Sequence, residues 1–186
     1  MTDDAVFGGW RSETMAFRFE LANFGGFYER TYQAAYRTAL GIVRNATLAA
    51  DVTQEAYATA YRHRGRFRGD VPAEAWLHRI VVNAALSAVR RDRPMIHEIP
   101  IADPASPDAG RLAAERLALI DALDALAPRQ RAAVILRYYH DYDYVTIARM
   151  LGTTPTNVGA MLSRGLDRLR LELEPPTPVA AGEVGR

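Results

Sequence analysis

Residues 144–173 read YVTIARMLGTTPTNVGAMLSRGLDRLRLEL. A short helix over Tyr144 to Leu151 ends at Gly152, and Thr154-Pro155 caps and opens a second helix running to about Leu173. Ile147-Ala148 on the first helix, a turn at the glycine, then Val158 and Leu162 on the second form a helix-turn-helix pattern. The alanine lets the helices approach, and Val158 and Leu162 pack back onto the first helix. Outward positions on the second helix are then Thr156, Asn157, Ala160, Ser163, Arg164 and Arg168. They are polar or small, as a helix entering a DNA major groove requires. A plain helical hairpin has a similar pattern, so this stretch sets the fold class without fixing the ligand.

Working outward, helical spacing dominates. Pro128 starts a helix through about Tyr139, and Leu112, Leu119, Leu123 and Leu126 carry helical spacing before it. From Phe24 the apolar positions Phe27, Tyr28, Tyr32, Ala35, Tyr36, Ala39, Leu40 and Val43 form one helical face. Thr47 is the expected N-cap of the next helix, through about Tyr61, and Pro72 the first-turn proline of a third, in which Trp76, Ile80, Ala84 and Ala88 recur four apart. Pro94, Pro100, Pro104, Pro107 and Gly110 leave no room for a regular element between residues 92 and 110. No strand alternation competes. The reading is all-α: two small helical domains joined by a Pro-rich linker. The expected parts are an N-terminal extension 1–22, a domain 23–93, a linker 94–110, a domain 111–173 and a disordered tail 174–186. The linker leaves the two domains free to collapse on each other.

Composition narrows the chemistry. The 186 residues are 49% hydrophobic and 24% charged, an ordinary globular balance that argues against wholesale disorder. There is no cysteine, which excludes disulfides, thiolate zinc sites, iron–sulfur clusters and a cysteine nucleophile. No apolar run approaches the ~18 residues of a membrane span. The first residues, MTDDAVFGGWRSETM, lack the basic start and apolar stretch of a signal peptide, so a cytoplasmic location is expected. All 23 basic residues are arginine, so every basic contact can be a planar fork. The net charge of +1 is uneven: −2 over residues 1–61, +5 over 62–94, −4 over 95–128, +4 over 129–170 and −2 over 171–186. Two basic blocks around an acidic one imply two anion-binding surfaces, nucleic acid being the obvious polyanion.

Enzyme motifs are absent. The four histidines, His63, His78, His97 and His140, form no HExxH, and no GxSxG, GxGxxG or Walker loop occurs. Asp141 and Asp143 read as turn residues. No catalytic residue, cofactor or metal site is expected. The second basic block is different in kind. Residues 62–70, RHRGRFRGD, alternate arginine with His, Gly and Phe, which suits a loop. Guanidinium groups with an aromatic ring can bind phosphates and stack on unpaired bases.

These pieces coincide with a known family. Residues Ala49-Ala50-Asp51-Val52-Thr53-Gln54-Glu55-Ala56-Tyr57 resemble the A-E-D-l-v-Q-E-x-F segment of extracytoplasmic-function (ECF, group IV) sigma factors of bacterial RNA polymerase, in the sigma-70 family. At the expected distance, Ala75-Trp76-Leu77-His78-Arg79-Ile80-Val81-Val82-Asn83 is similar to a-W-L-x-R-I-a-x-N, closed by Arg90 and Arg91. Leu123 to Arg137, LDALAPRQRAAVILR, is similar to L-x-x-L-p-x-x-q-R-x-v-x-x-L-r and stands directly before the helix-turn-helix. The sequence departs from the pattern at Ala50, Ser87, Thr146, Gly159 and Ala160.

The resemblance implies that 23–93 is a sigma region 2 domain and 111–173 a region 4 domain. It implies an alternative sigma factor, not an enzyme, that directs core polymerase to promoters and assists melting. Asp51, Gln54 and Glu55 match the segment docking on the clamp helices of the largest subunit, with the flap of the second-largest subunit as a further contact. Residues 62–71 match the loop that captures a flipped non-template base. Arg62, Arg64, Arg66, Phe67, Arg68, Trp76, Arg79, Asn83, Arg90 and Arg91 are then expected at the −10 element. Thr156, Asn157, Ala160, Ser163, Arg164 and Arg168 are expected at the −35 element as duplex. An anti-sigma factor is an implied partner. The altered recognition helix leaves an alternative, a sigma-like adaptor that binds protein partners with reduced DNA binding.

Overall fold

A computed structural model describes residues 23–91, 118–119 and 122–173. The expected N-terminal extension, the linker, most of the helix expected from Leu112, and the tail lie outside the described residues. Six α-helices organise the rest: α1 Phe24–Val43, α2 Ala46–His63, α3 Ala73–Arg91, α4 Pro128–Tyr138, α5 Tyr144–Leu151 and α6 Pro155–Leu173. A 3-10 turn, Arg64–Arg66, follows α2.

Local chemistry sets the boundaries. Asn23 caps α1 by accepting from the Gly26 N–H. The helix ends at Arg44, which sits in the left-handed region at φ 62° and returns its N–H to the Leu40 carbonyl. Only Arg44 and Asn45 separate α1 from α2, and Asn45, not Thr47, is the α2 cap, its side-chain oxygen 2.8 Å from the Leu48 N. The tight corner fixes the start two residues early, because Asn45 is the first residue after it with a capping oxygen. Pro72 likewise stands one position before α3 rather than in its first turn. Its carbonyl accepts the first helical bond from Trp76. In the helix-turn-helix, Asp143 caps α5 through the Thr146 N–H at 2.7 Å. Gly152 ends it at φ 60°, a conformation that suits a residue without Cβ. The Thr154 hydroxyl then accepts from Asn157 at the start of α6.

Alanine dominates the first core. Ala35 and Ala39 on α1, Ala49, Ala56 and Ala60 on α2, and Ala75, Ala85 and Ala88 on α3 are buried, so the three helices approach closely. Phe27, Ile42, Val52, Leu77, Val81 and Val82 supply the bulk. Thr31 donates to the Phe27 carbonyl at 2.6 Å and therefore accepts from the Tyr57 hydroxyl at 2.7 Å. Burial pushes that phenol up to about 12. In the second half, Val158 and Leu162 turn back onto Ile147 and Ala148, all buried.

The two halves are not separate bodies. Six consecutive residues of α4, Arg131 to Leu136, are buried. A helix covered all round is covered by two layers. α4 packs on α5 and α6 on one side and on α1 and α3 on the other, and α3 also packs on α5. The chain thus forms two helical domains folded against each other.

An isolated eight-residue helix such as α5 is unstable in water, so its caps matter. Asp143→Ala is expected to lower stability by about 1 kcal/mol. The check is a urea titration in which the midpoint falls while the slope stays unchanged.

Candidate polymerase and nucleic-acid surfaces

The α2 face expected to dock polymerase is exposed. Asp51, Gln54 and Glu55 all face solvent, and the two carboxylates stand four residues apart on one side of the helix. Between α2 and α3 lies an open groove of about 410 Å³, lined in part by Glu55, Thr59, Asn83, Ser87 and Arg91. It joins the α2 acid to the α3 residues expected at the −10 element. That adjacency is tertiary, so no local motif encodes it.

Residues 62–70 are more ordered than a loop. Arg62 and His63 belong to α2, and Arg64–Arg66 form the 3-10 turn. Arg62 bonds back to the Ala58 carbonyl and the Thr59 hydroxyl. Arg64 donates to the Tyr61 carbonyl at 2.6 Å and lies over the Tyr61 ring at 3.8 Å. Arg66 and Arg68 are exposed. Phe67 is 5% exposed, its ring 5.3 Å from that of Trp76. The alternation that reads as a loop places arginines outward and turns the aromatic inward, so Phe67 anchors the turn and presents no open ring face. Trp76 is half-buried beside it.

Arg79 and Asn83 are exposed on α3, and Arg90 and Arg91 are exposed at its end, with Arg90 donating to the Ser87 hydroxyl at 2.9 Å. Basic groups in the last turn suit the helix dipole. On α6, Thr156, Asn157, Ser163, Arg164 and Arg168 are exposed, and Ala160 is half-buried. Asn157 donates to Thr153 at 2.7 Å, and Arg168 pairs with Glu172 at 2.8 Å. Both side chains are held by neighbours on their own helix or turn.

Buried polar residues between the halves escaped the sequence reading. The Arg44 guanidinium grips Asp124 through two bonds, 2.7 and 3.3 Å. Arg131 donates to the carbonyls of Ile42, Asp124 and Leu126. Burial holds its guanidinium down, to about 10, against the pull of Asp124 and helped by Arg44, so it stays charged at neutral pH. The rings of His78 and His140 are 3.9 Å apart. Burial lowers His78 to about 3, aided by His140, and lowers His140 to about 4. Tyr142, hydrogen-bonded to His78 at 2.8 Å, is pushed up by burial and by Glu74. His78 and Arg131 lie inside the quoted motifs, but their partners stand on other elements, and no local pattern encodes that meeting.

Among the described residues no three His, Asp or Glu side chains cluster in a way that could hold a metal. No described helix is long and apolar enough to cross a membrane.

Comparison with known proteins gives a consistent result. The sigma-70 region 2 family matches residues 27–94, and the sigma-70 region 4 family matches residues 116–169. The chain is 34% identical over 151 residues to the ECF RNA polymerase sigma factor SigM of Mycobacterium tuberculosis, covering 78% of this chain and 74% of that one. It is 35% identical over 150 residues to the RNA polymerase sigma-E factor of Streptomyces coelicolor, covering 78% and 84%. In fold it resembles the sigma factor RpoE in complex with the anti-sigma factor NepR from Bartonella quintana, with a TM-score of 0.69, 22% identity, and 83% of this chain and 99% of that one covered. It also resembles CnrH in complex with the cytosolic domain of CnrY, with a TM-score of 0.63, 22% identity and coverage of 84% and 96%. With region 2 and region 4 in order on one chain, each on its own helical domain, this protein belongs to the ECF RNA polymerase sigma factors of the sigma-70 family.

Proposed function

We propose that this chain is an alternative sigma factor that brings core RNA polymerase to specific promoters, binds their −10 and −35 elements and assists melting. The observation that carries the reading is the pairing, on one chain, of an exposed acidic α2 face with an exposed polar recognition helix on α6. Asp51 and Glu55 meet arginines on the largest subunit, and Gln54 adds a hydrogen bond. The flap of the second-largest subunit engages the region 4 domain. Arg66 and Arg68, beside Arg62 and Arg64, bind the displaced strand, and Arg79, Asn83, Arg90 and Arg91 continue along α3. No catalytic group is needed: holding splayed bases offsets their unstacking, about 1–3 kcal/mol per stacked base. Thr156, Asn157, Ser163, Arg164 and Arg168 face the upstream duplex, with Ala160 closest to the helix body. Such a factor works in the cytoplasm, where the polymerase is. The named structural relatives are bound to an anti-sigma factor or to a partner's cytosolic domain, which supports an anti-sigma partner here too. The adaptor alternative is not favoured, because the relatives are sigma factors and the recognition helix is exposed.

Run-off transcription with purified core polymerase tests this reading directly. Promoter-specific transcripts are expected, and their absence with a folded protein would return the adaptor. Asp51→Ala with Glu55→Ala should weaken core binding by roughly 2–4 kcal/mol with circular dichroism unchanged.

The two arginine groups should separate by strand state. Arg66→Ala with Arg68→Ala is expected to impair open-complex formation, with the salt slope on single-stranded DNA falling by ~0.7 per lost phosphate contact. Arg164→Ala with Arg168→Ala should lower the duplex slope by ~0.9 per contact and reduce transcription only where the upstream element is required. Wild-type opening by the Arg66/Arg68 variant at every salt concentration would reduce that segment to a solvated basic turn.

A further inference from the structure

The contacts between the two domains have features that the packing of either domain does not require. Gly41 lies inside α1, where glycine costs about 1 kcal/mol relative to alanine. A Cβ there would stand 2.6 Å from Cδ1 of Ile135 on α4, so the missing side chain is the space that the second domain fills. Three residues on, Arg44 is 2% exposed although charged, and its guanidinium is matched by Asp124 of the second domain. Arg131 reaches across to the Ile42 carbonyl at 2.9 Å. Beside these, Thr38 of α1 and His78 of α3 meet His140 and Tyr142 of the turn after α4.

The histidine joint is incompletely satisfied. Thr38 donates to the Ala34 carbonyl at 2.7 Å, so it accepts from Nε2–H of His140, also at 2.7 Å. His78 bonds Tyr142 through Nδ1, while its Nε2 is buried without a partner. A proton on His78 would place a charge in a buried site against the half-buried His140 ring, and a proton on His140 would lie against His78. From α1, Arg37 reaches toward Tyr139. From α3, Glu74 acts on Tyr142 and pairs with Arg30. From α4, Arg137 is tied to Asp141 and to the Tyr142 carbonyl. On α5, Arg149 is exposed. Glu74 also stands four residues before His78 on α3, yet burial is the largest influence on both imidazoles and holds them low.

Closure and promoter binding are geometrically opposed. Elements named for positions about 25 base pairs apart lie about 85 Å apart along duplex DNA. A closed body of 186 residues has a radius of gyration of only about 16 Å. It cannot reach both elements, although α6 and the outer face of α3 remain exposed.

We propose that the free chain rests in this self-closed state, latched by Gly41–Ile135 and Arg44–Asp124–Arg131, and that the His78–His140 joint between the domains makes the latch open on acidification. The opposition to promoter binding rests on the sigma-factor reading; the latch itself does not. The sign follows from proton binding. Separated, both imidazoles return toward 6.5, whereas closed they sit at about 3 and about 4. The open state therefore binds more protons below about pH 6.5, and the advantage of closure, complete above it, drains away as pH falls. Between about pH 7.5 and about pH 5.5 the open-to-closed ratio should rise about 100-fold if both rings titrate, and about 10-fold if one does.

The chain has no cysteine, so a pair introduced at exposed Ala58 and Leu171 can be labelled cleanly in the full-length protein. Single-molecule energy transfer should show a dominant high-transfer population at about pH 7.5, and a low-transfer population about 100-fold more weighted at about pH 5.5, with helical circular dichroism unchanged. His140→Gln, in a turn, should cut that response to about 10-fold, and His78→Leu with His140→Gln should remove it. Gly41→Leu wedges the joint at a site that tolerates leucine once the domains part, so it should be open at both pH values. A wild-type-like closed population in Gly41→Leu, or an unchanged acid response in both histidine variants, would overturn the proposal. Run-off transcription by Gly41→Leu separates the two readings: an opened yet inactive chain would count against the sigma-factor function and leave the latch standing.

Discussion

The guanidinium of Arg131 is the point on which both halves of the molecule depend. It sits on α4 inside the motif that precedes the helix-turn-helix, 7% exposed, and bonds the carbonyls of Asp124 and Leu126 behind it. Those bonds fix the turn that delivers α4. One further nitrogen reaches the Ile42 carbonyl near the end of α1, one of the acceptors a helix C-terminus leaves without an internal partner. A cation at that end also suits the helix dipole. One side chain thus organises the second domain and caps the first. A charge so buried is tolerated because carbonyls and Asp124 surround it, although its Nε has no partner.

The dominance of alanine explains why such polar contacts decide the arrangement. Small side chains let α1, α2 and α3 approach closely, but each alanine removes little apolar surface from water. The same holds on α4, where Ala132 and Ala133 stand between its neighbours. Apolar burial therefore makes the domains compact, while paired charges and hydrogen bonds select how they meet. A buried ion pair adds little net stability over an apolar contact, because desolvation consumes most of the attraction. Its geometry is demanding, so it excludes other arrangements.

What was legible in the sequence was whatever repeats or punctuates. The bounds of α5 and α6 follow from Gly152, Thr154 and Pro155, whose chemistry is local. On α1 the apolar spacing located Phe27, Ala35, Ala39 and Val43 in the core, but Tyr28 is exposed, and Thr31, Thr38 and Ile42 are buried beside them, because threonine hydroxyls bonded to the preceding turn can enter the core. Boundaries went astray where a corner intervened: Asn45 displaced Thr47 as cap because the chain turns after only two residues. Phe67 turns out buried for a different reason. An aromatic among arginines has the composition of an exposed base-binding turn, and only the proximity of Trp76 nine residues on reveals a packing role. The joint between the domains was illegible in principle. Thr38, His78, His140 and Tyr142 are single residues on separate elements, brought together by tertiary packing alone.

The same physics that hid the joint suits it to a contact that must part. Separating two apolar faces exposes surface to water with nothing regained. Separating Arg44 from Asp124 and His140 from Thr38 returns each group to hydration, which recovers much of what the contact supplied. The orphaned Nε2 of His78 even gains a partner when water reaches it. A seam made of such groups is specific when shut and inexpensive to open. The glycine at its centre adds the remaining element: Gly41 provides close fit without an apolar side chain that would resist separation. Fit and hydration thus pull in opposite directions across one seam, and the closed arrangement persists only while the fit is kept and the imidazoles stay neutral.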